Sequence, residues 1–383
     1  MTDLQRILSL WRELEAERAD CVLSTVIAVE GPSYRKSGAC MLLTQDGRRA
    51  GTVSGGCLEA EVARRAWWFT ANGPSVQRFS TVEDDGDRPY GSGCGGVVWL
   101  LMERRPTAAP LLNALEQAFR QRIPIALATI LEGEHMGRRS FAGLDPAQTA
   151  GPAFAEPDPL QRLAAEALAC RRSSESKLSV QGTEVRIWTG FRPARSGLWI
   201  FGAGDDAQPL VQLGKALGWY VTVADGRSHL ATRERFLLAD ETHLLPAGDV
   251  PAGQPNPLVN LRPHDAVVVM THSFEQDSRA LASLLALDVR PAYIGVLGPQ
   301  RRTRELLSEA ARLLNLANSS APSISDTVER WLSQLHAPTG LDLGAESPET
   351  IALSIAAEIQ KSFANATALP MSHVRGIASV ASR

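Results

Sequence analysis

The chain has 383 residues and a formal charge of −3, with 44% hydrophobic and 21% charged residues. That composition excludes a disordered chain and offers no basic field to attract nucleic acid or an anionic membrane. The length suggests two domains of ordinary size, each able to bury a core without disulfides or metals. The longest apolar runs, 97–102 and 266–270, are strand-sized and far below the ~20 residues of a membrane-spanning helix. The N-terminus is charged and lacks the apolar centre of a secretory signal, so a cytoplasmic protein is expected.

In residues 1–20, Leu4, Ile7, Leu8, Trp11 and Leu14 share one helical face. A strand is predicted over 21–29, and the loop 30–37 carries Gly31-Pro32 and the basic pair Arg35-Lys36. A second strand, 39–44, turns at Asp46-Gly47. The glycine-rich run 51–59 opens a helix over 59–72, and a second such run, 90–96, leads into a strand over 97–102. Then follow a helix (110–122), a strand (125–131), a loop (143–159), a helix (160–171) and a strand (184–188). Pro193 and Gly197 punctuate the best linker, 192–197. The expected division is an N-terminal α+β domain over 1–192, a Rossmann-like domain over 193–365 and a tail over 366–383.

From Leu198 the pattern alternates: strand 198–201, helix 207–217, strand 220–224, a third strand 266–270 and a fourth at 292–294. This favours an α/β fold with a parallel sheet and right-handed crossovers. Gly202-Ala203-Gly204-Asp205-Asp206-Ala207 fits the relaxed fingerprint G-x-G-x-x-G/A between a strand and a helix. Asp225 follows Gly204 by 21 residues, at the end of the second strand, where a ribose hydroxyl is held in such folds. Asp205 and Asp206 sit where a pyrophosphate would approach, and two carboxylates there oppose a polyanion unless one caps the helix or holds a cation.

Ligands of open α/β sheets lie beyond the carboxyl ends of the strands. Three further loops belong there. Thr271-His272-Ser273 follows the third strand, with Asp277 close behind. Gly295-Val296-Leu297-Gly298 follows the fourth and leads to Arg301 and Arg302 at a helix start, either a phosphate grip or solvated surface. Pro338-Thr339-Gly340-Leu341-Asp342 arrives later, before a helix opened by Ser347-Pro348-Glu349. Among these groups His272 is either a structural hydrogen-bonding residue or a catalytic one.

Of the five cysteines, no two form a C-x-x-C pair, so a structural zinc site is not expected. Cys21 and Cys40 lie in apolar runs and Cys170 closes an alanine-rich stretch, all three as structural thiols. Cys57 and Cys94 instead lie among glycines, which free backbone N–H groups for an anion and lower a thiol's pKa. Such thiolates suit a soft metal or sulfur centre; equally, the glycines serve tight turns and the thiols fill small holes.

The ordered motifs resemble those of the xanthine dehydrogenase accessory factor family, XdhC/CoxI. In the first half they are Gly31-Pro32-Ser33-Tyr34-Arg35-Lys36-Ser37-Gly38-Ala39, the run Gly51-Thr52-Val53-Ser54-Gly55-Gly56-Cys57-Leu58-Glu59, and Gly93-Cys94-Gly95-Gly96. In the second half they are Phe201-Gly202-Ala203-Gly204, Asp225-Gly226-Arg227, Thr271-His272, Tyr293-Ile294-Gly295, Pro338-Thr339-Gly340-Leu341-Asp342-Leu343-Gly344 and the helix from Ser347. Asp205 departs from the histidine common after the family's Gly-x-Gly turn, and Gly298-Pro299-Gln300 from its usual glycine–serine start. The resemblance implies a chaperone, not an enzyme. It would bind the molybdenum cofactor, protect it while a terminal sulfur from a cysteine desulfurase is installed, and deliver it to a xanthine dehydrogenase-type hydroxylase. Self-association as a homodimer is implied as well. The cofactor-binding residues expected are Cys57, Cys94, Gly202, Gly204, Asp225, Arg227, His272, Gly295, Gly298 and Arg301. The alternative reading is an NAD(P)-dependent oxidoreductase using the same crevice, with His272 as its proton-transfer group.

Overall fold

A computed structural model describes residues 2–56, 58–80, 96–145, 158–180, 183–245, 260–314 and 324–373. The chain divides into two compact units between Arg195 and Ser196.

In the N-terminal unit, α1 (Asp3–Glu17) starts at a capping box between Thr2 and Gln5 and buries Ile7, Leu8, Leu10, Trp11 and Leu14. Then come β1 (Cys21–Glu30), β2 (Cys40–Thr44), β3 (Arg49–Gly51), α2 (Glu59–Phe69), β4 (Ser75–Ser80) and β5 (Val97–Arg104). They form an antiparallel sheet in the order β3-β2-β1-β5-β4. β1 reads as a continuous apolar run because both its faces are covered. Cys21, Leu23 and Ile27 join α1 in one core, while Val22 and Val26 join Val62 and Ala66 of α2 in another.

The unit continues with α3 (Arg105–Gln121), β6 (Ile125–Ile130), β7 (Arg139–Ala142), α4 (Pro159–Cys170), β8 (Ser174–Val180) and β9 (Thr183–Arg192). A second antiparallel sheet results, ordered β7-β6-β9-β8. Its Ile125, Leu127, Phe141 and Trp188 enter the core of α1 and α3, and its Ala128, Ile130 and Ile187 pack on α4. One ion pair joins the two sheets: Arg139 of β7 meets Glu103 of β5, both essentially without solvent access. α3 begins at Arg105, a turn before the expected start, because Pro106 rather than Pro110 occupies the first turn. The strands β3, β4, β7 and β8 escape the apolar pattern: β3 and β7 are short, and β4 and β8 are rich in polar residues at sheet edges.

The C-terminal unit is the parallel α/β domain that the alternation predicts. Its elements are β10 (Gly197–Phe201), α5 (Ala207–Ala216), β11 (Tyr220–Asp225), β12 (Glu241–Leu244), β13 (Ala266–Val269), α6 (Phe274–Leu285), β14 (Tyr293–Val296), α7 (Gln300–Leu313), α8 (Ile324–Leu332) and α9 (Pro348–Ala364). The order β12-β11-β10-β13-β14 runs outward from β10 in both directions. The edge strand β12, four half-exposed residues, was not expected from sequence and adds a fifth strand. Alternate strand residues feed opposite layers. Trp199, Phe201, Val267 and Val269 pack with α6, α7 and α8; Leu198, Ile200, Val221 and Val268 pack with α5 and α9. Strand order reverses between β10 and β13, which places the crevice at their carboxyl ends. Among the described residues, no helix is long and apolar enough to cross a membrane.

Candidate functional site

At the end of β10 the chain turns at Gly202 with φ +132°. A Cβ there would lie 2.5 Å from the carbonyl oxygen of Met270 and 3.0 Å from the amide of Thr271. Only glycine lets the two strand ends approach this closely. At Gly204 a Cβ would meet Oδ1 of Asp206 at 2.5 Å. Asp225, 0% exposed at the end of β11, is enclosed by protein donors. Its Oδ2 accepts from Ala203 N at 2.7 Å and Arg227 Nη2 at 2.7 Å; its Oδ1 accepts from Arg227 N at 2.8 Å and Nε at 2.9 Å. Burial alone would raise this carboxyl, but the Arg227 guanidinium and the two amides outweigh it and hold it below its usual range. Arg227 also donates to Thr271 O at 3.1 Å, so it ties the end of β11 to the loop after β13.

That loop is organised by a second buried carboxylate. Asp277, 0% exposed in the first turn of α6, accepts from Thr271 N at 3.1 Å, from Thr271 Oγ1 at 2.6 Å and from Arg302 Nη2 at 2.6 Å. The chain enters α7 through Gly298, φ +113°. Of the paired arginines, Arg302 turns inward, whereas Arg301 is 91% exposed and pairs with Glu305 one turn along. Helical phase explains the choice. Arg302 lies one turn before the buried Leu306, and Arg301 one turn before Glu305 on the polar face.

His272 adopts φ +62°, and its Nε2 lies 2.8 Å from Asp206 Oδ2. Asp206 stands at the N-cap of α5 but makes no side-chain cap bond there, so the capping expectation is corrected: its partner is His272. Asp205 pairs with Arg235 at 2.7 Å. Each carboxylate that opposed a polyanion in the sequence therefore has a basic partner. At the neighbouring strand end, a Cβ on Gly295 would run into Oγ1 of Thr339 and lie 2.7 Å from Tyr293 Cε1. Glu358 of α9 fixes the loop beside it, accepting from Tyr293 OH at 2.7 Å and Gly340 N at 2.7 Å, with His336 Nδ1 at 2.8 Å. Burial raises this carboxyl, and the bonds from Tyr293, Gly340 and His336 more than reverse it. Sequence reasoning missed Arg235 and the Tyr293–His336–Glu358 network, whose members are scattered along the chain.

In the N-terminal unit, Glu59 organises the glycine run 51–59. Its Oε1 accepts from Val53 N at 3.1 Å and Ser54 N at 2.8 Å, and its Oε2 from Ser54 Oγ at 2.6 Å. Ser54 Oγ in turn accepts from Gly56 N and Leu58 N. Cys57 and Cys94 lie outside the described residues. Cys21 and Cys40 are buried; burial pushes the Cys21 thiol up to about 12 and the Cys40 thiol up as well, so neither is a thiolate at neutral pH. Cys170 is exposed at the end of α4.

Comparison with known proteins resolves the family. A family model described as the XdhC Rossmann domain matches residues 198–359, and one described as the XdhC and CoxI family matches residues 14–80. The chain is 30% identical over 362 residues to a Bacillus subtilis (strain 168) protein named as a probable xanthine dehydrogenase subunit, covering 90% of this chain and 93% of the relative. This chain belongs to the XdhC and CoxI family. It is also 25% identical over 348 residues to the molybdenum cofactor insertion chaperone PaoD of Escherichia coli (strain K12), covering 88% of this chain and 82% of that one. A crystal structure described as a xanthine dehydrogenase from Bacillus halodurans superposes with a TM-score of 0.69 at 28% identity, over 98% of this chain and 100% of that one. The XdhC fold expected from the motifs, an N-terminal family domain followed by a Rossmann domain, is thereby established. Within this family the chain is an accessory factor rather than an enzyme.

Proposed function

We propose that this protein is a molybdenum-cofactor chaperone that holds the cofactor during sulfuration and delivers it to a xanthine dehydrogenase-type hydroxylase. One observation carries the site: Arg227 and Arg302 converge on Thr271 and Asp277 at the mouth of the switch-point crevice. Each is partly exposed and held from behind by a wholly buried carboxylate. Arg227 uses Nε and Nη2, and Arg302 uses Nη2, for these contacts. The remaining N–H groups suit the phosphate of a pterin ligand. Gly202 and Gly204 let backbone approach that phosphate, and α5 presents its N-terminus beyond them. Gly295 and Gly298 shape the opposite wall, and His272 with Asp206 lines the turn.

The thiols of Cys57 and Cys94 supply soft ligands for a molybdenum–sulfur centre. A cysteine desulfurase as sulfur donor, self-association as a homodimer and a cytoplasmic setting complete this reading. The nicotinamide alternative draws no support: Asp225, which it needs for a ribose, already accepts four protein hydrogen bonds.

Arg302→Ala should weaken cofactor binding by about 1.5–3 kcal/mol, roughly ten- to hundredfold. Arg301→Ala should leave binding unchanged, because that side chain is solvated. Pterin fluorescence after oxidative release from purified variants measures retention. In the same preparations, Cys57→Ser and Cys94→Ser should lower the content of terminal sulfur. Equal pterin retention in wild type, Arg301→Ala and Arg302→Ala removes the crevice from the site.

A further inference from the structure

The motif loop over residues 31–38 belongs to the N-terminal unit. It forms one wall of a cavity of about 450 Å³, a volume in the range of small-molecule sites. The cavity floor is apolar: Ile7 from α1, Leu111 and Leu115 from α3, Leu127 from β6 and Trp188 from β9. Its charged lining is basic. Arg35, Lys36 and Arg192 line it, and Asp3 is the one acid among the described lining residues, an excess of two positive charges (three less one).

Hydrogen bonds brace this polar loop in place. Trp188 Nε1 donates to Ser37 Oγ at 2.9 Å, and Ser37 Oγ donates to Ile27 O at 2.9 Å. Arg192 Nη2 donates to Gly38 O at 3.0 Å. Arg35 Nε donates to Thr52 Oγ1 at 2.8 Å, and its guanidinium pairs with Asp3. The loop's one large side chain with an apolar body, Tyr34, is 77% exposed rather than packed into the space. A loop braced from α1 and β9 over an apolar floor it does not fill is a preorganised wall, which spares a ligand the cost of ordering it.

We propose that this cavity is a second ligand site of the protein, taking a flat heterocycle that bears one anionic group. The ring lies against Trp188, Leu111 and Leu115. The anion meets the basic lining of Arg35, Lys36 and Arg192. The site stands independently of the crevice and of the cargo assigned to it.

Pterin-6-carboxylate is the probe, and uncharged pterin its control. Calorimetric titration of the full-length protein should show at least tenfold tighter binding of the carboxylate, and hydrogen exchange should slow in the peptide covering residues 31–39. Lys36→Glu should weaken binding at least tenfold, and Leu4→Trp, which crowds the cavity from a partly buried position, should abolish it. Absent binding overturns the proposal. So does protection confined to residues outside the cavity lining, which needs no variant to read out. Unchanged affinity in both Lys36→Glu and Leu4→Trp overturns it as well.

Discussion

Arg139→Ala should destabilise the N-terminal unit by about 3–5 kcal/mol, the cost of stranding one partner of a buried ion pair. Glu103 is 0% exposed and lies in the middle of two sheets' shared interior, with Arg139 as its charge partner. Burial pushes this carboxyl up, and Arg139 offsets that only in part. Among the described residues its Oε2 and the Nη1 of Arg139 have no hydrogen-bond partner of their own, so little else there is available to take over when the arginine is removed. The pair spans two different sheets, and its Coulomb gain is offset by the cost of burying both charges. Replacing both residues by leucine should therefore cost little or even stabilise. Because the chain has two units, a single unfolding curve mixes them. Hydrogen exchange in peptides from β5 and β6 isolates the relevant one. A loss below about 1 kcal/mol in Arg139→Ala contradicts the assignment.

Gly202→Ala should cost the C-terminal unit about 3 kcal/mol or more and remove its ligand binding. Two penalties combine: φ of +132° is closed to an L side chain, and the new methyl meets the backbone of Met270 and Thr271, whose amides are held by Phe201 O and Asp277. Gly204→Ala provides the contrast. There the methyl meets the end of the Asp206 carboxylate, which can rotate away. That variant should fold, at a cost of about 1 kcal/mol or less. Exchange rates in peptides from β10 and β13 read the difference, and equal stability of the two alanine variants contradicts it.

Residues whose role follows from the chain's local pattern were legible in the sequence. The strand–glycine–helix order announced the parallel sheet, because period and turn chemistry are local properties. Ser347 and Pro348 likewise announced α9, which the structure opens with a capping box to Thr350. Edge strands were not legible. β8 and β12 carry the polar residues that sheet edges use, so apolar pattern alone passes over them. Pairings across long separations were hidden as well. Nothing local to Asp277 says that Arg302, 25 residues later, would reach it. Helical phase did hold that information for the choice between Arg301 and Arg302, since the buried stripe Thr303, Leu306, Leu307 and Ala310 runs beside Arg302. Asp225 was placed correctly at the end of its strand, but its partners were not readable: both oxygens face Arg227 and the Ala203 amide.

The central claim is that this accessory factor readies the molybdenum cofactor for another enzyme. A reactive metal–sulfur centre free in water is exposed to oxidation and hydrolysis, and a closed protein crevice excludes that water. The direct measurement is to delete the gene, purify the molybdenum hydroxylase of the same cell, and assay its molybdenum, terminal sulfur and turnover. The hydroxylase should be folded and carry its other cofactors, yet lack sulfurated molybdenum and activity, and restoring the gene should restore both. A hydroxylase from the deletion strain that is fully loaded and fully active contradicts the chaperone role.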